Sequence, residues 1–378
     1  MDRRLLINRN PTGFLFIFVI LVSCSGTKTD SSIDYTYSET SVPINTSQLS
    51  LYYVTDFLQM DGKDVFVGYN HTTHALDFFD FTNKKFLKSI AFQKEGPNAI
   101  PTAGSFAVNK DFITIIYGNA FIYFLNHEGT VLKKIKFDQL EGMEGLSLSP
   151  LELTYGNYSK LSFSDDNVLT LPVYKAVKRL NDDFYEQLYI LDIHFDGLNI
   201  ANTLITCSFP SLFKDNFYGD LDLPYVDRSN GKLVYNFPIS STVYQIAKND
   251  DSSTHNVIEL NKTDDTDIPP LSKSSYSTGE RVNYFFNSPR YFYPIFDPYR
   301  ELYYMVRKNK TESLQKKHEE SYLMIFNSEF EYLDSIKLSS KLTPIYDVTR
   351  EGLVFLYNQA NIKSESYLSF YTIKVDQK

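Results

Sequence analysis

Tryptophan is absent from the 378 residues, cysteine occurs twice and methionine five times. Two cysteines exclude a disulfide-stapled scaffold and any cysteine-rich zinc knuckle. The sequence has no Gly-x-Ser-x-Gly elbow, no His-Glu-x-x-His helix and no glycine-rich phosphate loop. That removes the familiar serine-hydrolase, zinc-protease and phosphoryl-transfer designs, and no residue is assigned a catalytic, metal-binding or cofactor-binding role. Basic residues are in the minority, 37 against 46 acidic, for a formal charge of −9. A body of that sign is repelled by phosphate backbones and lacks the basic stripe of a nucleic-acid binder. Past residue 22 no apolar run is long enough to cross a bilayer.

Aromatic rings are abundant: 30 Phe and 29 Tyr, within a chain that is 43% apolar and 22% charged. Such a composition can bury a sizeable core, which excludes a disordered chain. The length accommodates one large β domain or two average ones.

Arg3, Arg4 and Arg9 precede the apolar run Phe14–Val22. A basic stretch followed by a run about half as long as the ~20 residues of a spanning helix has the form of an export signal. Leu21-Val22-Ser23-Cys24 follows and resembles the bacterial lipobox: apolar first, small before the cysteine, cysteine last. The resemblance implies a mature N-terminus at Cys24 carrying more than one acyl chain, which is what stable anchoring takes. Ser25 stands where an inner-membrane retention signal has Asp, so the expectation is an outer-membrane lipoprotein, its periplasmic or surface side left open. Residues 1–23 are read as the signal peptide, 24–33 as lipidated cysteine and polar tether, and 34–378 as one folded domain. Residues 1–23 hold three arginines and one aspartate, so the mature chain keeps 34 basic and 45 acidic residues, a net of −11. Cys207, in the run Leu204–Cys207, reads as a small buried hydrophobe rather than a nucleophile.

Beyond residue 33 short β-branched and aromatic runs alternate with Asn, Asp, Gly and Lys, and no long amphipathic helix is apparent. Three runs, a polar turn and a fourth run repeat. Phe81 and Asn126 are 45 residues apart, as are Ile90 and Ile135. That is a propeller-blade period. Six units can be read, the last lacking its outer strand. Asp34–Ile44, strand-like and ahead of the first unit, is placed to supply it. The expected fold is therefore all-β, a six-bladed propeller whose last blade is closed by the N-terminal strand of the mature chain. A two-sheet sandwich or two smaller β domains is the competing architecture.

Gln93-Lys94-Glu95-Gly96-Pro97-Asn98-Ala99-Ile100 resembles the inter-blade loop of six-bladed propeller lipoproteins of Bacteroidetes-type bacteria, with Ala99 where Gly is frequent. Gly231–Ile239 and the Asp297-Pro298-Tyr299-Arg300 turn resemble the same group, a domain-of-unknown-function family. The resemblance implies fold and location and transfers no active site. Asp334-Ser335-Ile336 also matches a short O-glycosylation pattern of exported proteins in such bacteria, although Ile336 equally suits a strand core.

Of the six histidines only His71 and His74 lie close together, in what reads as a solvated loop; His127 reads as an exposed turn residue. The acidic pairs, Asp165-Asp166, Asp182-Asp183, Asp220 with Asp222, and Asp250-Asp251, read as turn and cap residues. Asp264–Asp267 lacks the loop pattern of an EF-hand. In a propeller the links from second to third strand and from outer strand to the next blade share one face. Here those links are long and unequal: Tyr174–Glu186, Phe209–Tyr225, Asn261–Arg290 and Lys308–Glu320. Loops on a rigid scaffold are where binding concentrates. The candidate binding residues are Lys94, Glu95, Asn98, Lys178, Arg179, Phe213, Phe217 and Tyr218, the aromatics being suited to stacking on sugars or anchoring a peptide. The expected function is a monomeric, lipid-anchored envelope propeller that binds an envelope protein or glycan, or acts as an assembly or sensing scaffold, and does not bind nucleic acid. The alternative is a carbohydrate-active hydrolase or lyase with carboxylates near the central channel.

Overall fold

The apolar runs form 26 strands among the described residues of the structure, a computed structural model. It describes residues 33–117, 121–140, 146–148, 161–164, 167–175, 179–186, 188–229, 231–247, 256–260, 268–276, 278, 280–309, 320–362 and 364–377. Residues 1–32, which hold the expected export signal, Cys24 and all but the last residue of the expected tether, lie outside them, as do Lys178, His255, His318, Asp165-Asp166, Asp250-Asp251 and Asp264–Asp267.

The chain begins with β1 (Ile33–Pro43) and then builds blades in order. Blade 1 is β2 (Thr55–Met60), β3 (Lys63–Asn70), β4 (Ala75–Asp80) and β5 (Lys85–Ala91). Blade 2 is β6 (Ser105–Val108), β7 (Ile113–Tyr117), β8 (Phe121–Leu125) and β9 (Val131–Lys136). Blade 3 has β10 (Leu146–Leu148) and β11 (Ser162–Phe163), both paired with β12 (Val168–Lys175), then β13 (Leu188–Asp196) and β14 (Asn199–Ser208). Blade 4 is β15 (Tyr225–Ser229), β16 (Lys232–Asn236), β17 (Thr242–Ala247) and β18 (Asn256–Glu259). Blade 5 has β19 (Arg290–Tyr291) and β20 (Ile295–Asp297), both on β21 (Leu302–Lys308), then β22 (Ser321–Asn327) and β23 (Tyr332–Lys337). Blade 6 is β24 (Leu342–Thr349), β25 (Gly352–Tyr357) and β26 (Tyr367–Gln377). Inner strands touch their neighbours in the ring β2–β6–β11–β15–β20–β24–β2.

Blade 6 is completed by β1, antiparallel to β26 from Ile33 opposite Gln377 to Pro43 opposite Tyr367. The closing strand thus has the place expected of it and begins one residue earlier, at Ile33. The architecture is a six-bladed propeller, not a sandwich or a pair of smaller domains.

Six apolar clusters form the core, one at each blade–blade interface. Middle strands are therefore buried on both faces: β4, β21 and β25 are buried throughout, whereas the outer β5 alternates. The interface between blades 6 and 1 is aromatic. Phe370 meets Phe57, Phe66 and Phe81 edge-on with ring centroids 5.9, 5.0 and 5.2 Å apart. Tyr52 docks there because Gly68 offers no side chain; a Cβ on Gly68 would overlap the ring.

Outer hairpins repeat one device. Asn126 and Asn327 each accept two backbone N–H bonds from their own turn, at 2.8 to 3.1 Å. Each turn needs a positive φ three residues on, at Gly129 in blade 2 and at Phe330 in blade 5. Phe330 adopts it at a cost, offset by stacking on Tyr303 with centroids 4.0 Å apart.

Phe370→Ala should lower stability by about 3–5 kcal/mol, because it opens a cavity in the closing interface. Urea midpoints at unchanged denaturant slope measure this. Leu132→Ser, on the exposed rim of blade 2, should shift the midpoint far less, and equal shifts would contradict the assignment.

Candidate functional site

Strand direction alternates across each blade, so the links between strands sort onto two faces. First-to-second and third-to-outer links share one face, and the described ones are tight hairpins such as Met60–Lys63, Asp196–Asn199 and Thr349–Gly352. Second-to-third links and the passages to the next blade share the other. There lie residues 92–104, 179–186, 209–224 and, within a single link, 268–276 with 280–289.

Three of these loop-face segments converge on an ionic cluster. Arg179 lies with Nε 3.1 Å from Asp222 Oδ2 and also pairs with Asp220. Arg281 donates to Asp220 Oδ2 at 2.7 Å, and the Tyr276 hydroxyl donates to Oδ1 at 3.0 Å. Tyr185 donates to Asp222 Oδ2 at 2.9 Å. Asp222 is wholly buried and its Oδ1 has no hydrogen-bond partner among the described residues. Burial pushes its carboxyl up to about 6, with Arg179 and the Tyr185 hydroxyl opposing the rise. Burial alone would lower the Arg179 pKa, but Asp222, Tyr276 and Asp220 raise it on balance, so the guanidinium stays charged. Tyr276 belongs to α1 (Lys273–Tyr276) and Arg281 to α2 (Glu280–Asn287). Ser272 Oγ accepts the Ser275 N–H at 3.0 Å, capping the first of them.

Between the faces runs the central channel, with a cavity of about 220 Å³. Blades 1, 4 and 6 line it with Asp56, Asp227 and Asp347; blades 2, 3 and 5 line it with Val108, Phe163 and Ile295. The carboxylates are engaged by backbone and neighbours. Asp347 Oδ2 accepts the Phe57 N–H at 3.2 Å, tying blade 6 to blade 1, and Asp56 Oδ2 accepts the Val108 N–H at 3.2 Å, tying blade 1 to blade 2. Ser229 donates to Asp227. Arg228 pairs with Asp192 and donates to Thr170 at 2.9 Å. Among the described residues no three His, Cys, Asp or Glu side chains converge closely enough to hold a metal ion.

The profile of a family described as "Domain of unknown function (DUF4221)" matches residues 36–337. The chain belongs to the DUF4221 family. A solved DUF4221 member from Bacteroides vulgatus superposes with a TM-score of 0.74 at 18% identity, over 92% of this chain and 99% of its own. A Bacteroides fragilis protein named as exported superposes with a TM-score of 0.54 at 12% identity, over 91% and 95%. At these identities the likeness speaks for the fold alone. No curated protein sequence matches the chain.

In this DUF4221 chain the expected binding residues separate into two groups. Lys94, Glu95 and Asn98 are exposed on the loop face. Their loop is closed by Ile100 N–H to Gln93 O at 2.9 Å and by Gly96 at φ 95°. The aromatics are not on the surface: Phe213 is 1% exposed, Phe217 5% and Tyr218 8%. Phe213 packs on Phe237 and Tyr185 with centroids 4.9 and 5.1 Å apart, and Phe217 on Tyr276 at 5.1 Å. They form the floor of the loop platform, and Arg179 is neutralised above them.

His71 is exposed as expected, whereas His74 is buried. Its Nε2 donates to the Ile100 carbonyl at 2.6 Å, so Nδ1 accepts from the Tyr69 hydroxyl at 2.7 Å. Burial lowers its pKa, consistent with that neutral tautomer. His127 is half-buried, against the exposed turn expected, with Nε2 3.2 Å from the Lys110 carbonyl. Cys207 is buried and its thiol pushed up to about 11 by desolvation. Ser335 is exposed on the outer strand of blade 5, next to buried Ile336.

The sequence reading missed Tyr276, Arg281 and the channel aspartates. A lone Asp inside the first short apolar run of units 1, 4 and 6 was the available signal for the channel.

The raised pKa of Asp222 carries a sign. The folded state holds its proton up to about pH 6, the unfolded state only to near 3.8. This group therefore favours the native state below that window, and the advantage is lost as pH rises through it. The urea midpoint of the native sequence, relative to Asp222→Asn, should fall between about pH 4.5 and about pH 6.5. A difference that stays flat would refute the assignment.

Proposed function

We propose that this chain is an exported, lipid-anchored propeller of the cell envelope that binds an envelope protein or glycan through its loop face. The observation carrying this reading is the gathering of the long links on one face, with the segments around Arg179, Asp220 and Arg281 locked together. A locked platform loses little conformational entropy when a partner docks. Lys94, Glu95 and Asn98 are its exposed polar contacts. In this reading residues 1–23 are a cleaved signal, Cys24 carries the acyl chains, and the propeller follows the tether as a monomer at the outer membrane. Two features are compatible with it: a fold neighbour named as exported, and the absence among the described residues of a helix long and apolar enough to cross a membrane.

The channel supports a second reading, as a carbohydrate-active enzyme, because three blades present carboxylates to one cavity. Glycoside cleavage needs two carboxyl groups disposed about one bond. Asp56 and Asp347 each commit an oxygen to the next blade's backbone, so the binding reading is favoured.

Replacing Cys24 with Ala should move the protein out of the membrane fraction and abolish fatty-acid labelling; labelling that persists would contradict the anchor. Crosslinking in cells followed by affinity capture should return a reproducible envelope partner that is lost in the charge-reversed Lys94→Glu/Glu95→Lys variant. A partner retained undiminished would place binding elsewhere.

A further inference from the structure

The chain enters the propeller on one definite face. β1 is the outer strand of blade 6, and its first residue, Ile33, pairs with Gln377 at the far end of β26. Gln377 donates to the Arg300 carbonyl at 3.2 Å. Arg300 lies in the Asp297–Leu302 hairpin between the first and second strands of blade 5, so Ile33 sits at the hairpin face. The other end of β1 reaches the loop face, where Ile44 N–H bonds to the Ser366 carbonyl at 3.0 Å in the link between β25 and β26.

Magnitudes then decide the orientation. Cys24 precedes Ile33 by nine residues, which span at most about 32 Å when fully extended. The 11 residues of β1 rise about 33 Å from one face to the other. Turning the loop face to the bilayer would require the tether to run the full height of the blade, which takes more than its whole length. As a random coil nine residues reach only about 17 Å. The hairpin face is itself tied across blades. Arg300 donates to the Arg350 carbonyl at 2.8 Å and Arg350 to the Gly62 carbonyl at 2.9 Å, joining the hairpins of blades 5, 6 and 1.

We propose that the acyl chains at Cys24 hold the propeller by its hairpin face, so that the loop face points away from the membrane and takes its partner from the aqueous side. This inference rests on the Cys24 anchor proposed above, and goes beyond it in fixing which face the membrane excludes.

The test uses full-length lipidated protein in phosphatidylethanolamine–phosphatidylglycerol vesicles bearing an acceptor dye on the headgroups. A donor dye goes on Lys84→Cys, at the exposed outer hairpin of blade 1, or on Lys94→Cys, in the exposed loop at the opposite end of the same blade. Buried Cys207 is shielded from the reagent. Lys110→Cys and Asn98→Cys, exposed on the corresponding faces, form a second pair should a first variant fold poorly. Energy transfer from the hairpin-face positions should exceed that from the loop-face positions at least twofold. Equal transfer, or greater transfer from Lys94→Cys, would overturn the orientation while leaving the anchor intact. Lipidated protein that does not sediment with the vesicles would overturn the anchor, and the orientation with it.

Discussion

The pairing of Ile33–Pro43 with Tyr367–Gln377 is the constraint on which the rest of the propeller depends. Each blade buries both faces of its sheet, so the core exists only as six layers between neighbours. A ring left open would expose the sixth layer on both sides. In that layer Val42, Leu368 and Phe370 come from blade 6, and Phe66, Phe79 and Phe81 from blade 1. The pairing also covers the long free edge of β26, which an open arrangement would leave to template aggregation, and β1 becomes the outer strand of the blade. It joins the start of the described chain to its end, a contact of high sequence separation whose loop-closure entropy must be overcome before the interface rewards it.

Closure is reinforced at three depths. At the hairpin face Arg300 and Arg350 bridge carbonyls across blades 5, 6 and 1. In the channel Asp347 and Asp56 accept the next blade's N–H. Between them lies the aromatic layer. The channel aspartates are therefore read first as ties, since a carboxylate that accepts a backbone N–H across a blade boundary fixes the inner strands against one another. The Asp297-Pro298-Tyr299-Arg300 turn, which resembled a known group by sequence, has a physical reason to be there. Asp297 Oδ1 accepts two backbone N–H bonds in the turn, and Oδ2 holds Arg300 at 2.8 Å, aiming the guanidinium at blade 6.

How much of this was legible follows from the range of the interactions. Strand runs, the 45-residue period and the closing role of Asp34–Ile44 are local patterns, and each led to an element found in the structure. Even blades 3 and 5 were readable, although their inner strands are broken into β10 with β11 and β19 with β20. The site was less legible. His71 and His74 look alike in a four-residue loop, yet only His74, at φ 57°, turns inward to hold the Ile100 carbonyl. Phe213, Phe217 and Tyr218 sit in a polar link and read as surface rings, because what covers them comes from residues 179–186, 268–276 and 280–287. No periodicity spans those separations. Asp220 and Asp222 looked like ordinary turn residues for the same reason: their partners lie at least 37 positions away.

That cluster explains why the loop face is a better candidate surface than a set of free loops. Two arginines and two aspartates balance in charge, and taking them out of water is expensive. Replacement by apolar residues of similar volume would often be neutral or better for stability alone. What the ionic arrangement supplies is geometry: Asp220 receives Arg179, Arg281 and Tyr276 from two other segments at once, and only one placement of the three satisfies it. The Lys94–Asn98 loop is fixed independently, through His74 on the Ile100 carbonyl. In the proposed reading a partner meeting this face would find segments already in place, so their ordering would not subtract from its affinity. Removing one member leaves its partner buried and uncompensated, so the platform should loosen while the six-layered core beneath it stays closed.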